Sequence, residues 1–257
     1  MSTTSWPENV TTLAIDIGGS GFKAAMLNAA GAMTSERVRI DTPYPVTPEK
    51  FVAAVTELVK PLGAADRVSV GFPGLVRNGH VIEVPSMSRR KYGGVRDEQL
   101  AAAWSHFDLG AALTESFGVP TLIANDADIQ GCAVVAGEGF EFVMTLGTGV
   151  GTALFFDGKL LPHLELSHGP FKKHMSFDIA LGNAHRKEIG TKKWISLVKD
   201  AIEDFYEMLY FDHIYVGGGN AQKLKPEDVA PRGTIVPNSA GITGGVRVWS
   251  MSTEQHA

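Results

Sequence analysis

Two glycine-turn hairpins half a chain length apart constrain this sequence more than any other feature. The first runs Leu13-Ala-Ile-Asp-Ile-Gly-Gly-Ser-Gly-Phe-Lys-Ala-Ala-Met-Leu-Asn28, the second Phe142-Val-Met-Thr-Leu-Gly-Thr-Gly-Val-Gly-Thr-Ala-Leu-Phe-Phe-Asp157. Laid over one another, they put Asp16 on Thr145, Gly18 on Gly147 and Asn28 on Asp157. A self-match at half of 257 residues is the mark of a duplicated fold. Either cluster alone would be an ordinary hairpin turn. Together they offer two turns of backbone N–H groups that can face an anion, because glycine bends tightly with no Cβ in the way. Two such turns facing one another make a phosphate clamp.

Composition points to an ordinary soluble enzyme. Hydrophobic residues make up 44% and charged residues 20% of the chain, as in most globular domains. A net charge of −5 argues against general nucleic-acid binding. The one cysteine, Cys132, cannot form an intrachain disulfide and suits a reducing compartment. The N-terminus lacks the basic and apolar regions of a signal peptide, and no apolar run reaches membrane-spanning length. The expectation is a cytoplasmic protein with no membrane partner.

Short apolar strands alternate with amphipathic helices, the pattern of an α/β fold. Thr47-Pro48-Glu49 predicts a helix start, a capping threonine followed by proline at the first position and then an acid. Phe51, Val52, Val55, Leu58 and Val59 form its apolar stripe. Asp108 caps a helix that ends at Gly118. A strand over 121–124 runs into Asn125-Asp126-Ala127-Asp128, and a helix to about residue 136 follows. A long helix over 192–209 places Trp194, Leu197, Val198, Ile202, Phe205 and Met208 on its buried side. A strand over 211–216 runs into Gly217-Gly218-Gly219-Asn220. Residues 162–189 carry no clear period. A boundary near Ala124 divides the chain into 1–124 and 125–239, with 240–257 and its short final helix packing on the first part.

Individual residues suggest a chemistry. Asp16 ends a strand just before the glycines; a carboxylate there repels a bare phosphate but orients Mg²⁺ between the two, often through water. Its plain alternative is a turn-capping aspartate. Lys23 reaches a phosphate as a point charge, or is only a solvated strand lysine. Gly19-Ser-Gly21-Phe-Lys-Ala24 fits a dinucleotide fingerprint, but the helix that the fingerprint needs has no room before the turn at 28–31. Asp126, at the opening of a helix, is placed to take a proton from an attacking hydroxyl; as a plain helix cap it would do nothing, and for Asp128 the cap is favoured. Glu165-Leu-Ser-His168 sets an acid and an imidazole where they can hold vicinal hydroxyls. Zinc at His163, His168, His174 and His185 lacks the usual ligand spacing. Arg89-Arg90-Lys91 and Lys172-Lys173-His174 would line the path of a long polyanionic donor, or are solvated loops. Cys132, inside a helix, reads as a small core residue.

Six motifs in order, Asp16-Ile-Gly-Gly-Ser-Gly21, Gly71-Phe-Pro-Gly74, Asn125-Asp-Ala-Asp128, Leu146-Gly-Thr-Gly-Val-Gly151, Glu165-Leu-Ser-His168 and Gly217-Gly-Gly-Asn220, make the chain resemble the ROK-family sugar kinases from about residue 13 to 248. The polyphosphate glucokinase branch is the most similar. The resemblance implies an actin-like/hexokinase-like ATPase fold, two lobes of duplicated βββαβα type about a central cleft, often as a homodimer. It implies Asp126 as general base, with Asn125, Glu165, His168 and Ser86 on the sugar. It further implies Gly18, Gly19, Ser20, Gly21, Lys23, Gly147, Thr148 and Gly149 on the phosphates, with Gly217, Gly218 and Gly219 at the far end of a polyphosphate or ATP donor. The departures fall on the sugar side. Ser167 stands for a glycine, Ser86 for an asparagine, and Phe177, with Asp178 beside it, for a sugar-binding glutamate. The expected activity is therefore phosphorylation of a hexose, glucose at its 6-OH first. A kinase for another sugar, or a sugar-binding protein of the same fold that has lost activity, stays open.

Overall fold

The computed structural model describes residues 6–237 and 240–252. The first hairpin is β1 (Thr12–Ile17) and β2 (Gly21–Leu27), with β3 (Val38–Asp41) antiparallel beside β2. The chain crosses through α1 (Pro48–Val59) to β4 (Arg67–Phe72), which lies parallel to β1. A small separate hairpin, β5 (Leu75–Arg77) and β6 (His80–Glu83), follows. Then α2 (Glu98–Trp104) and α3 (Leu109–Phe117) lead to β7 (Thr121–Asn125), parallel to β4. After α4 (Asp126–Val134) comes the second hairpin, β8 (Phe140–Leu146) and β9 (Val150–Phe156), with β10 (Lys159–Leu160) antiparallel beside β9. The helices α5 (Phe177–Leu181), α6 (Asn183–Ile189) and α7 (Thr191–Leu209) lead to β11 (His213–Gly217) and β12 (Gly233–Ile235), and α8 (Ala240–Met251) comes last. The two five-stranded sheets run β3-β2-β1-β4-β7 and β10-β9-β8-β11-β12. In each, the hairpin side is antiparallel and the crossover side parallel.

Local chemistry explains the helix ends. Thr47 Oγ1 accepts from Lys50 N at 3.3 Å with Pro48 in the first turn, and Asp108 caps α3, which closes on Gly118 in the left-handed conformation. Each sheet covers its own core. Phe51, Phe72 and Trp104 pack edge-on and tilted beside the first. Beside the second, Phe205 is tilted against Phe142 and stacked on Phe177, with Trp194 and Val198 of α7 in the same core. Met208 departs from the expected stripe of α7 and is 59% exposed. The chain reverses at Tyr210 in the left-handed conformation, and Phe211, with its ring 5.5 Å from Phe142, fills the core at that end in its place. Cys132 is fully buried, as its helical context suggests, and burial pushes its thiol up.

A third core joins the halves. Ile129 and Cys132 of α4 pack with Val143, Phe155 and Val248, so α4 contacts both the second sheet and α8. The close approach of α8 depends on Gly244: a Cβ there would stand 1.7 Å from the Ile129 carbonyl oxygen. Gly244→Ala is expected to force the two helices apart at a cost of about 1–3 kcal/mol. Urea unfolding measures this as a lowered midpoint.

Candidate active site

The site is built where β7 passes into α4 without a loop. Asn125 is the cap: its Oδ1 accepts from Ala127 N at 2.8 Å, and its Nδ2 donates to Gly74 O at 3.1 Å. Asp126 therefore sits in the first helical turn, facing a cleft of about 550 Å³. Its side chain is half-buried and lines this cleft. Burial, reinforced by the charge of Asp16, raises its carboxyl to about 7. Asp128 does not cap the helix. It is buried, with Oδ1 3.0 Å from His163 Nδ1.

The two glycine turns form part of the cleft wall. Gly18 N donates to Gly21 O, and Gly147 N to Gly149 O, which closes each turn. The amides of Gly19, Ser20 and Thr148 take no backbone partner among the described residues. Gly18, Gly19, Ser20, Gly147, Thr148 and Gly149 all line the cleft. The first turn is tied down by Thr42, whose hydroxyl donates to Gly18 O, and by the Tyr44 hydroxyl, 2.9 Å from Gly19 O and 3.1 Å from Ser86 O. The second is held from below. Asp178 Oδ1 accepts from Val150 N at 2.8 Å, and Asn220 Nδ2 donates to Gly147 O at 2.9 Å. Gly218 and Gly219 reach the cleft, while Gly217 lies behind them at the end of β11.

Glu165, His168 and Asn125 line the same cleft, as does Ser86, which lies beside Gly19 of the first turn. Glu165 lies between two imidazoles, 3.7 Å from His163 Nε2 through Oε1 and 3.7 Å from His168 Nε2 through Oε2. The His163 imidazole directed at it holds its carboxyl below the usual range against the opposing effect of burial. Burial alone would lower His163, but the bond to Asp128 and the nearby Glu165 reverse this and lift it to about 10. The buried hydroxyl of Ser86 has no hydrogen-bond partner.

Some residues lie elsewhere. Lys23 pairs with Asp16 at 3.0 Å, and neither lines the cleft, nor does Gly21. The basic runs also stay outside it. Arg89 donates to Pro85 O and Gly94 O, Arg90 pairs with Asp97, and Lys172 with Asp200. Phe177 is core, stacked between Phe171 and Phe205, and its neighbour Asp178 faces the cleft instead. Sequence reading missed Tyr92, which overhangs Gly19, and His163 as a partner of Asp128 and Glu165. The signal for His163 was its spacing of two residues from Glu165 in an otherwise unreadable loop.

Among the described residues no three acidic, histidine or cysteine side chains cluster to hold a metal. Asp16 is the one carboxylate beside the first turn whose charge also reaches Asp126. That donor set fits Mg²⁺ carried in on phosphate oxygens and held chiefly by them, since Mg²⁺ keeps most of its waters and needs only one or two carboxylates.

Two glycine turns with unpaired backbone amides, a half-buried carboxylate and further polar side chains around one cleft have the make-up of a phosphoryl-transfer enzyme. The sequence profile of the ROK family matches residues 12–168, more than half of the chain, and the chain belongs to the ROK family. It is 29% identical over 245 residues to a polyphosphate glucokinase of Mycobacterium tuberculosis (strain CDC 1551 / Oshkosh), a match covering 90% of this chain and 88% of that protein. It is 35% identical over 157 residues to an N-acetylmannosamine kinase of Escherichia coli (strain SE11), covering 59% of this chain and 50% of that protein. The crystal structure of an inorganic polyphosphate/ATP-glucomannokinase from Arthrobacter sp. strain KM matches with a TM-score of 0.74 at 29% identity, over 94% of this chain and 99% of that one. The fold is the actin/hexokinase-like fold of the family, with mixed sheets and flanking helices. Homology to ROK-family kinases supports phosphotransferase activity.

The second turn gives a direct test of the wall. A Cβ on Gly149 would lie 2.0 Å from Asp178 Oδ1. Gly149→Ala is expected to expel Asp178 from its bond to Val150 N and to lower kcat at least tenfold with the fold intact. Steady-state kinetics alongside circular dichroism measure this.

Proposed function

We propose that the chain is a kinase transferring the terminal phosphate of polyphosphate or ATP to a hexose hydroxyl, the 6-OH of glucose being the first candidate. One observation carries this reading: Asp126, with its ionisation near neutral pH, shares a single cleft with both glycine turns and with the Glu165–His168 pair. A base poised near the working pH is the most effective acceptor of a hydroxyl proton. The names of the relatives, polyphosphate glucokinase and polyphosphate/ATP-glucomannokinase, support the donor and acceptor classes. The matching order of the two sheets supports a duplicated βββαβα fold with lobes at 1–124 and 125–239, and contacts of α8 with β1 and β4 support its return to the first lobe.

In the proposed reaction Asp126 takes the proton of the hydroxyl as its oxygen attacks the terminal phosphorus, and the bond from phosphorus to the donor's bridging oxygen breaks. Glu165, His168 and Asn125 orient the sugar, and Ser86, whose buried hydroxyl has no partner, lines the same cleft. The free amides of Gly19, Ser20 and Thr148 stabilise charge on the transferring group. Gly218 and Gly219 meet the distal part of the donor. Asp16 would hold Mg²⁺ through water, and the ion would neutralise phosphate charge when bound. Lys23 balances Asp16 from behind.

Two outcomes are expected. With pH falling below about 7, Asp126 protonates, so kcat/KM declines roughly tenfold per pH unit; a pH–rate profile at saturating Mg²⁺ reads this. Asp126→Asn is expected to abolish turnover while leaving sugar binding largely intact. Its effect on stability separates chemistry from folding. The native carboxyl is raised above its unfolded value, so the native state binds more protons between the two, and stability falls as pH rises through that window. Above pH 7 the asparagine variant is therefore at least as stable as the wild type by thermal denaturation. Retained turnover would remove Asp126 from the role of base.

A further inference from the structure

The Asp128–His163 pair serves no step above, yet it is the most deeply buried ion pair at the cleft. Its side chains are only 4% and 5% exposed, and the Oδ1–Nδ1 distance is 3.0 Å. Burying two charges is costly unless each finds further partners. Asp128 has His163 and the nearby charge of Arg77. His163 has Asp128 on Nδ1, but its buried Nε2 has no hydrogen-bond partner and faces Glu165 Oε1 3.7 Å away. The backbone at His163 is fixed as well, since its carbonyl accepts from the Arg77 guanidinium.

Because Asp128 accepts at Nδ1, and the imidazole holds its charge, Nε2 also carries a proton and is a donor. It is aimed at one oxygen of Glu165, slightly beyond hydrogen-bond reach. The other oxygen stands toward His168 at the cleft side. We propose that His163 is a positioning residue for sugar recognition: backed by Asp128, it holds Oε1 of Glu165 from behind, so that Oε2 is presented to the sugar hydroxyls. Asp126 and Asp128 both lie in the first turn of α4, so one helix start sets both the base and, through His163, the sugar-holding carboxylate. The inference rests on the sugar-kinase reading for its consequence, and on the geometry alone for the placement of Glu165.

The experiment combines His163→Gln, Asp128→Asn and Glu165→Gln, singly and as the His163/Glu165 double variant, with hexose binding by calorimetry and full kinetics for both substrates. His163→Gln and Asp128→Asn are each expected to raise the hexose Kd and KM about tenfold, the scale of a hydrogen bond to a charged group, while the phosphate-donor KM stays within twofold. In the Glu165→Gln background the His163 substitution is expected to change hexose affinity less than twofold, because its target is already gone. Equal losses in both backgrounds, or a shift in donor KM of the same size, would overturn the positioning role. A crystal structure of His163→Gln without sugar reads the placement independently of turnover. Glu165 swung from its wild-type position supports the inference even if no hexose is bound by the wild type, which would count against the sugar-kinase reading instead. Glu165 unmoved overturns it.

Discussion

The chemistry of the cleft depends on the junction where β7 becomes α4 with no intervening loop. Asn125 turns the chain and caps the helix in one step, with its side chain bonded to Ala127 N and Gly74 O. Asp126 is thereby carried at the helix start, desolvated by the packing of α4 against the second sheet and α8. Burial is the largest influence on its carboxyl and the charge of Asp16 the next. A solvated aspartate would ionise some three units lower and be a correspondingly weaker base.

Charge balance around that junction is tight. Asp16, Asp126, Asp128 and Glu165 contribute carboxylates within one region, and Lys23, His163 and Arg77 are the cations set among them. Lys23 quenches Asp16 behind the first turn. His163 lies between Asp128 and Glu165 and also pulls Asp126 down slightly against its burial. None of these cations or carboxylates is bonded to the amides of Gly19, Ser20 and Thr148. The distribution sets His163 between Asp128 and Glu165 and leaves Lys23 on Asp16.

Features written in local rules were legible in the sequence. The two hairpins, the Thr47 and Asp108 caps, the Gly118 stop and the run of β7 into α4 all follow from glycine geometry, capping and periodicity, and the structure has them. Features set by distant partners were not. Asp128 looked like a cap because its partner, His163, is 35 residues away. Met208 fits the stripe of α7, and only the reversal at Tyr210 leaves it outside. The short helices α5 and α6 have too few turns to show a period, and what fixes them is contact with the second glycine turn through Asp178 and Asn183. The basic runs pointed to a polyanion path, but their arginines are used locally on carbonyls and Asp97.

The most direct test is a phosphorylation assay over a panel of hexoses, run with ATP and with polyphosphate as donors in the presence of Mg²⁺. Formation of a hexose phosphate from at least one pair, dependent on the divalent ion, is the expected result. Hexose binding without phosphate transfer for every pair would contradict it and leave the fold as a sugar-binding protein.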